Sequence, residues 1–310
     1  MILKRNFNIL RVLNYVKYEC LFASAIALIA YFLHSQNQLV SLPFSIAAIL
    51  GSALAIFIAF RNNNSYSRWW EARTLWGGIV NSSRVLARLV ITFTDSHQHQ
   101  SNFDAGRSRQ FKTDVVLKII AWAHAMRLHL RKQNDWEQLK QYVSEAEFIQ
   151  IQQAQNKPNT LHLLTGQSIY RAMADGTLGG FDSFQMEGQL LALANYQGGC
   201  ERIKNTPLLR QYDFFTRLFL YAFILILPFC CLTDLAKMNL SWLAIPISLF
   251  ISFVFAILGK VGEVNEDPFE NRITDVPLNA LCNTIERDLL DLLGSPNLPE
   301  KLEPQNGFLF

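Results

Sequence analysis

A long stretch near the start of the chain carries no charged side chain. Between Glu19 and Arg61 there is no Asp, Glu, Lys or Arg, and residues 39–60 form one uncharged, mostly apolar run of 22 residues. A helix of about 20 such residues crosses the ~30 Å hydrocarbon layer of a bilayer. This run therefore predicts that the chain crosses a membrane.

Three further windows share this character. Residues 20–33 form a shorter apolar run before it, and residues 218–233 and 238–259 form a second closely spaced pair. The first run is short enough for a signal peptide, but Glu19 beside it and the early second run favour a helical hairpin. We therefore expect four transmembrane helices in two hairpins.

The distribution of Lys and Arg predicts how these helices are oriented. Basic residues flank the outer ends of both hairpins, whereas the two hairpin tips carry only Lys237. Because positive residues accumulate on the cytoplasmic side, we expect a multi-pass protein of the cell inner membrane with both termini in the cytoplasm. The predicted segments are 1–60, 61–212, 213–259 and 260–310.

The middle segment, 61–212, has a soluble and helical character. It holds 18 basic against 12 acidic residues, and apolar residues recur at helical spacing in 115–132, 136–155 and 184–203. Residues 94–110 are polar and are predicted to be a loop. A further amphipathic helix is predicted over 274–294, with Asp275 as its N-cap. The expected fold is all-α.

Composition and motifs argue against several functional classes. The net charge of +3 among 310 residues is too small to indicate a nucleic-acid-binding protein. No phosphate loop, dinucleotide fingerprint or nucleophile–base constellation is found in the sequence. We therefore expect neither an enzyme nor a protein with a catalytic metal or cofactor.

The second span indicates conduction of ions. It carries no ionisable group, so the carboxylates expected of a pump or coupled transporter are missing. Ser52, Ile56 and Phe60 recur every four residues and share one helix face, although spacing alone favours ordinary lipid or core contacts for such residues. Continuing by fours gives Asn64 and Arg68. An apolar collar that opens into a polar vestibule suits a hydrophobic gate, and such a pore needs several subunits around an axis.

An acidic segment follows the fourth span. "GEVNEDPFE" (262–270) contains Glu266 and Asp267 among four carboxylates. Such a cluster suits a hard cation, but it is equally typical of an exposed acidic turn. Both interpretations stay open on the sequence alone.

Two stretches resemble the signature segments of the bestrophin family, in its bacterial branch. They are "FRNNNSYSRWWEARTLWGGIVNSSR" (60–84) and "EDPFENRITDVPLNALCNTIERDLL" (266–290). The resemblance covers nearly the whole chain and implies a homopentameric ion channel with one axial pore. It also implies a hydrophobic neck at Ser52, Ile56 and Phe60, the first of which is a serine where the family has a larger aliphatic residue.

The same resemblance assigns further residues. It implies a second, cytosolic constriction near Leu178 and Phe181. Asp267 and Asp275 match positions of the calcium-binding clasp of animal relatives, which makes Glu266, Asp267 and Asp275 a candidate cation site. Arg272 stands where the clasp has an acidic ligand, which argues against calcium. The bacterial branch implies conduction of monovalent cations in preference to chloride.

The remaining assignments concern the exit of the second span. Asn63, Asn64 and Arg68 are expected to line the pore vestibule, and Trp69, Trp70 and Glu71 form the structural motif that follows. The expected partners are other copies of the chain, membrane lipids and inorganic ions. The alternative hypothesis is a membrane-anchored cytosolic binding or sensor module that conducts nothing.

Overall fold

The computed structural model describes residues 1–4, 9–36, 42–96, 98–101 and 103–310. In this part of the chain the regular structure is helical, with isolated β-bridges near the two ends and no named strand. The α-helices are α1 Ile9–Tyr15, α2 Lys17–Gln36, α3 Phe44–Ser96, α4 Ala105–Arg131, α5 Glu145–Gln153, α6 Lys157–Ala174, α7 Gly180–Asn205, α8 Arg210–Lys237, α9 Ala244–Asn265 and α10 Leu278–Leu292. The predicted all-α fold is confirmed.

Four helical segments are long and apolar enough to cross a membrane, as predicted. They are α2, α3, α8 and the segment Ser241–Asn265, which contains a short 3₁₀ turn and α9. The first residues of the second apolar window, 39–41, lie outside the described residues. Each helix extends beyond its apolar window because helical hydrogen bonding continues wherever no residue interrupts it. α3 is the extreme case, with 53 residues.

The chain divides into two compact units. We call Lys4–Trp69 with Pro207–Asp267 the span unit, and Met1–Leu3, Trp70–Thr206 and Pro268–Phe310 the body unit. The boundaries that the charge-free windows predicted, after 60, 212 and 259, fall inside α3, α8 and α9. The predicted boundaries follow the first charged residues, which mark where a helix leaves an apolar environment. The two units are instead defined by which residues pack against one another, so their boundaries lie elsewhere.

The span unit is built on α2, α8 and α9, which pack against one another, with the start of α3 beside them. Small residues allow close approach: a Cβ at Gly51 would lie 3.1 Å from the Phe223 ring. The Phe223 and Phe255 rings then pack with their centroids 4.9 Å apart. Such small-to-large contacts are typical of helices that associate in a bilayer.

The body unit is centred on α4, which packs against α6, α7 and α10. α4 begins at Asp104, whose side chain accepts hydrogen bonds from the N–H groups of Gly106 (2.7 Å) and Arg107 (3.1 Å). The middle of α4, around Ile119 and Met126, is buried and mostly apolar. This burial on most faces explains why α4 is less strictly amphipathic than a surface helix.

Three local predictions were wrong. The helix predicted over 136–155 is a 3₁₀ helix, Trp136–Gln141, followed by α5, because Ser144 and Glu147 form a capping box that starts a new helix. The loop predicted over 94–110 is shorter, since helix occupies both of its ends; residues 97 and 102 within it lie outside the described residues.

The third error concerns the start of α10. Pro277, not Asp275, occupies the N-cap position. The Asp275 carboxylate instead accepts the backbone N–H of Arg272 at 3.0 Å, so it closes the preceding turn.

Candidate functional site

The membrane part of α3 has one buried face. Its residues follow at alternating steps of four and three, which keeps them on one side of a helix. They are Ala47, Gly51, Leu54, Ile58, Arg61 and Ser65. This face packs within the span unit and leaves the opposite face bare.

The predicted neck residues lie on the bare face. The exposed fraction is 56% for Ile56 and 63% for Phe60, and Ser52 is exposed as well. The Ser52 hydroxyl donates a 2.6 Å hydrogen bond to the carbonyl of Ala48, one turn earlier. Since the donor is used inside the helix, Ser52 presents its oxygen as an acceptor.

The predicted vestibule residues divide into two groups. Asn63 and Asn64 are exposed, so their amides are open to solvent. Arg68 is half-buried, and one of its Nη atoms lies 3.9 Å from an oxygen of Asp267. Arg68 therefore contacts the acidic segment within the span unit.

The tryptophan motif spans the boundary of the two units. Trp69 is half-buried and Trp70 is 55% exposed. Glu71, in the body unit, accepts a short charge-assisted hydrogen bond from Arg202. The adjacent tryptophans face different environments, as successive helical residues must.

A buried ionic network surrounds Arg61, and sequence reasoning missed it. One Nη atom of Arg61 lies 2.5 Å from Asp213 and 3.6 Å from Glu266, while the other donates to the carbonyl of Gly259 at 3.1 Å. The signal was present: Arg61 continues the 47, 51, 54, 58 series of the buried face. A charged side chain on this buried face of α3 requires an oppositely charged partner inside the protein.

The network continues toward solvent through further arginines. Arg210 lies 3.3 Å from Glu266, and Arg217 lies 2.9 Å from Asp213. Arg210 and Arg217 have side chains that are 68% and 55% exposed, whereas Glu266 is buried. Burial raises the pKa of Glu266, and the charge of Asp267 adds to this increase. The outer edge of the network is thus cationic.

The candidate cation site is divided between the units. Glu266 and Asp267 belong to the span unit, where both contact arginines, and Asp275 belongs to the body unit. Burial raises the pKa of Asp275, although it accepts backbone hydrogen bonds. Among the described residues, no group of three or more His, Cys, Asp or Glu is placed to hold a metal ion. Arginine guanidiniums occupy the space next to these span-unit carboxylates.

The two residues of the predicted cytosolic constriction differ sharply. Leu178 is 3% exposed, and its N–H donates to the carbonyl of Ala172 at 2.9 Å, so it belongs to the core of the body unit. Phe181, in the first turn of α7, is 74% exposed. Only Phe181 is presented in a way that suits a constriction between subunits.

Curated relatives cover most of the chain. A protein of Escherichia coli strain K12, named voltage-dependent anion channel-forming protein YneE, is 32% identical over 285 residues, which cover 92% of this chain and 87% of the relative. Voltage-dependent anion channel-forming protein RSc3414 of Ralstonia nicotianae is 30% identical and covers 91% of this chain and 87% of its own length. The predicted preference for monovalent cations is contradicted by these names. It was wrong because it rested on the resemblance alone, while an uncharged neck selects neither sign.

Solved structures share the fold. A crystal structure of a bacterial bestrophin homolog from Klebsiella pneumoniae superposes with a TM-score of 0.78 at 30% identity, over 91% of this chain and 100% of that chain. A single-residue variant of that homolog gives a TM-score of 0.81, over 91% and 98% of the two chains.

The family itself follows from the whole sequence. The model described as "Bacterial/Fungal Bestrophin protein" matches residues 6–291, which include all four candidate spans, the tryptophan motif and the acidic segment. This chain belongs to the bacterial and fungal bestrophin family, whose members are ion channels.

Proposed function

We propose that this chain forms a homopentameric anion channel of the inner membrane, with one axial pore and both termini in the cytoplasm. The neck consists of rings of Ser52, Ile56 and Phe60, one residue of each from every subunit. Relatives at 30–32% identity that are named anion channel-forming proteins support the sign of the permeant ion.

The observation that carries the proposal is the two-sided character of α3. One face packs inside the span unit, while the opposite face leaves a serine, an isoleucine and a phenylalanine bare at successive turns. A ring of subunits brings this second face to an axis. Apolar rings there exclude water when they are narrow and let ions pass when they widen.

The charges near the neck favour an anion over a cation. Asp213 and Glu266 lie against the buried Arg61, and the exposed edge of the network carries two further arginines, Arg210 and Arg217. Next to the neck, Asn63 and Asn64 expose amide groups whose N–H bonds can donate to an anion. Neither feature provides the exposed carboxylate ring that is typical of cation channels.

The test is a reversal-potential measurement on purified protein in planar bilayers under a potassium chloride gradient. An anion channel reverses near the equilibrium potential of chloride, and replacing chloride by gluconate reduces the current. Native mass spectrometry of the same sample is expected to give five chains.

Two results would overturn the proposal. A reversal potential near the equilibrium potential of potassium would show that the channel conducts cations and not anions. A monomer without current would favour the membrane-anchored module without conduction.

A further inference from the structure

The body unit contains an open cavity beside the first turns of α4. Its volume is about 610 Å³, which is typical of sites that bind small molecules. One wall consists of α4 side chains at helical spacing between Gly106 and Leu117. The other wall is the connection that precedes α5, residues 141–144. Both walls belong to the same unit, so the cavity is complete within it.

A carboxylate in the cavity wall is fixed from behind. One oxygen of Asp114 lies 2.5 Å from Nζ of Lys118, and the other accepts the hydroxyl of Ser168 at 2.7 Å. Lys118 is buried and also lies 2.8 Å from an oxygen of Glu147. Two carboxylates therefore share one ammonium, which leaves an excess negative charge. Asp114 is the more exposed of the two, at 39% against 17%, so a ligand meets this charge at Asp114.

Arg109 brings a positive charge to the same cavity. It is exposed, and within the part of the chain that the structure describes it has neither an ion pair nor a hydrogen-bonded side-chain partner. Asp114 follows five residues later, about 7.5 Å along the helix axis, and the two do not pair with each other. Gln110 and Thr113, which lie between them on the wall, likewise have no side-chain partner among the described residues. The cavity thus offers unused donors beside a held carboxylate.

The charges around the cavity balance one another. Arg109 and Lys118 carry two positive charges, and Asp114 and Glu147 carry two negative charges. An anion or a cation in the cavity would leave the site with a net charge. A zwitterion keeps the site neutral, and each of its charges can lie next to the opposite charge of the wall.

The rest of the lining supplies apolar surface. It comes from Leu117, Tyr142 and Val143. The hydroxyl of Tyr142 donates to Glu286 at 2.6 Å, and its ring stacks on His124 with centroids 5.6 Å apart. The orientation of this ring is therefore set before a ligand arrives. An aliphatic group that covers this surface is removed from water, which favours binding.

We propose that this cavity binds a free amino acid with an apolar side chain. The guanidinium of Arg109 donates to the carboxylate of the ligand, for which its planar donors are well suited. Asp114 accepts hydrogen bonds from the ammonium, and the apolar surface contacts the side chain. The cavity belongs to the body unit and the neck residues to the span unit, so the proposal does not rest on conduction.

The experiment is equilibrium dialysis of the purified, full-length oligomer against radiolabelled L-leucine. Wild type is expected to bind one leucine per chain saturably. Two competitors each lack one charge of leucine: isopentylamine has no carboxylate, and 4-methylpentanoate has no ammonium. Each is expected to compete at least about tenfold more weakly than unlabelled leucine, because one charged contact is lost.

Two variants assign the charges of the ligand to the two ends of the cavity. Arg109→Gln should weaken leucine binding about tenfold without weakening isopentylamine, which has no carboxylate to lose. Asp114→Asn should weaken leucine binding to a similar extent without weakening 4-methylpentanoate. Glu147 still neutralises Lys118 in this second variant, and its thermal unfolding midpoint checks the fold. Arg107→Gln, on the same helix but outside the cavity lining, should bind leucine like wild type.

The proposal fails if wild type shows no saturable leucine binding, or if either competitor matches leucine. It also fails if Arg107→Gln loses as much affinity as Arg109→Gln. Equal weakening of leucine and isopentylamine by Arg109→Gln would contradict the contact between Arg109 and the carboxylate.

Discussion

A guanidinium Nη atom of Arg61 lies 2.5 Å from a carboxylate oxygen of Asp213, and both side chains are largely withdrawn from solvent. Glu266 approaches the same Nη atom at 3.6 Å. These residues come from α3, from α8 and from the residue that follows α9. The ion pair therefore joins three elements of the span unit at the end of its apolar windows.

Removing Arg61 is expected to destabilise the span unit severely. Arg61→Met leaves Asp213 and Glu266 without their buried counter-charge, which costs about 3–5 kcal/mol. Unfolding by denaturant in mixed micelles measures the change. Lys237→Met breaks an exposed pair with Asp234 at 3.0 Å and should cost less than about 1 kcal/mol. Equal losses in the two variants would contradict the structural importance of the buried pair.

The neck residues are expected to control conductance. Phe60→Ala and Ile56→Ala remove bulk from the collar and should raise single-channel conductance about twofold or more, because a wider apolar ring stays wet. Ser52→Leu should lower it by replacing an acceptor oxygen with an apolar side chain. Phe250→Ala, at an equally bare phenylalanine of α9, serves as the control. If Phe250→Ala has the largest effect, α3 does not line the pore.

Two adjacent glycines of α3, Gly77 and Gly78, are expected to differ in how well they tolerate substitution by alanine. A Cβ at Gly78 would lie 2.4 Å from the ring of Tyr196, whereas a Cβ at Gly77 meets nothing closer than 3.6 Å. Gly78→Ala should therefore lower the free energy of unfolding by about 1–3 kcal/mol. Gly77→Ala should raise it by up to about 1 kcal/mol, because alanine favours the helix. The thermal unfolding midpoints of the two variants, measured side by side, decide the order.

A buried histidine is expected to make the body unit acid-sensitive. His162 packs edge-on against Trp122 with ring centroids 4.9 Å apart, and burial lowers its pKa from 6.5 to about 4. The unfolded chain therefore binds more protons between these values, so stability is full above pH 6.5 and falls as the pH drops toward 4. At pH 5 the loss from this group is about 2 kcal/mol.

The measurement is the free energy of unfolding as a function of pH. His162→Phe keeps an aromatic ring against Trp122 and should flatten the decline between pH 7 and pH 5. His99→Gln, at an exposed histidine, should leave the decline as in wild type. A His162→Phe curve that parallels wild type would show that other groups cause the acid sensitivity.

The sequence predicted the features that depend on local composition. The spans follow from charge-free windows, because a charged side chain in hydrocarbon is costly wherever it occurs. The helix over 115–132 follows from apolar spacing in the same way. The positions of Ile56 and Phe60 on one face required only helical periodicity, and the structure leaves both bare.

Features that depend on short polar contacts were predicted less well. Ser144 starts a new helix inside the segment 136–155 because its side chain and that of Glu147 satisfy each other's backbone N–H groups. Asp275 had the residue type of an N-cap but closes a turn instead. In each case a contact a few residues away selected between conformations that the residue type alone permits.

By itself, the sequence determined which segments leave water and which stay in it. The free energy of transferring a segment from water into the membrane is a sum over residues that are close together in the chain. Only the tertiary structure decided where the charges at the ends of those segments go. Arg61 could have lain on either face of α3. It is buried because Asp213 and Glu266, far away in sequence, supply the carboxylates without which the loss of hydration would be prohibitive.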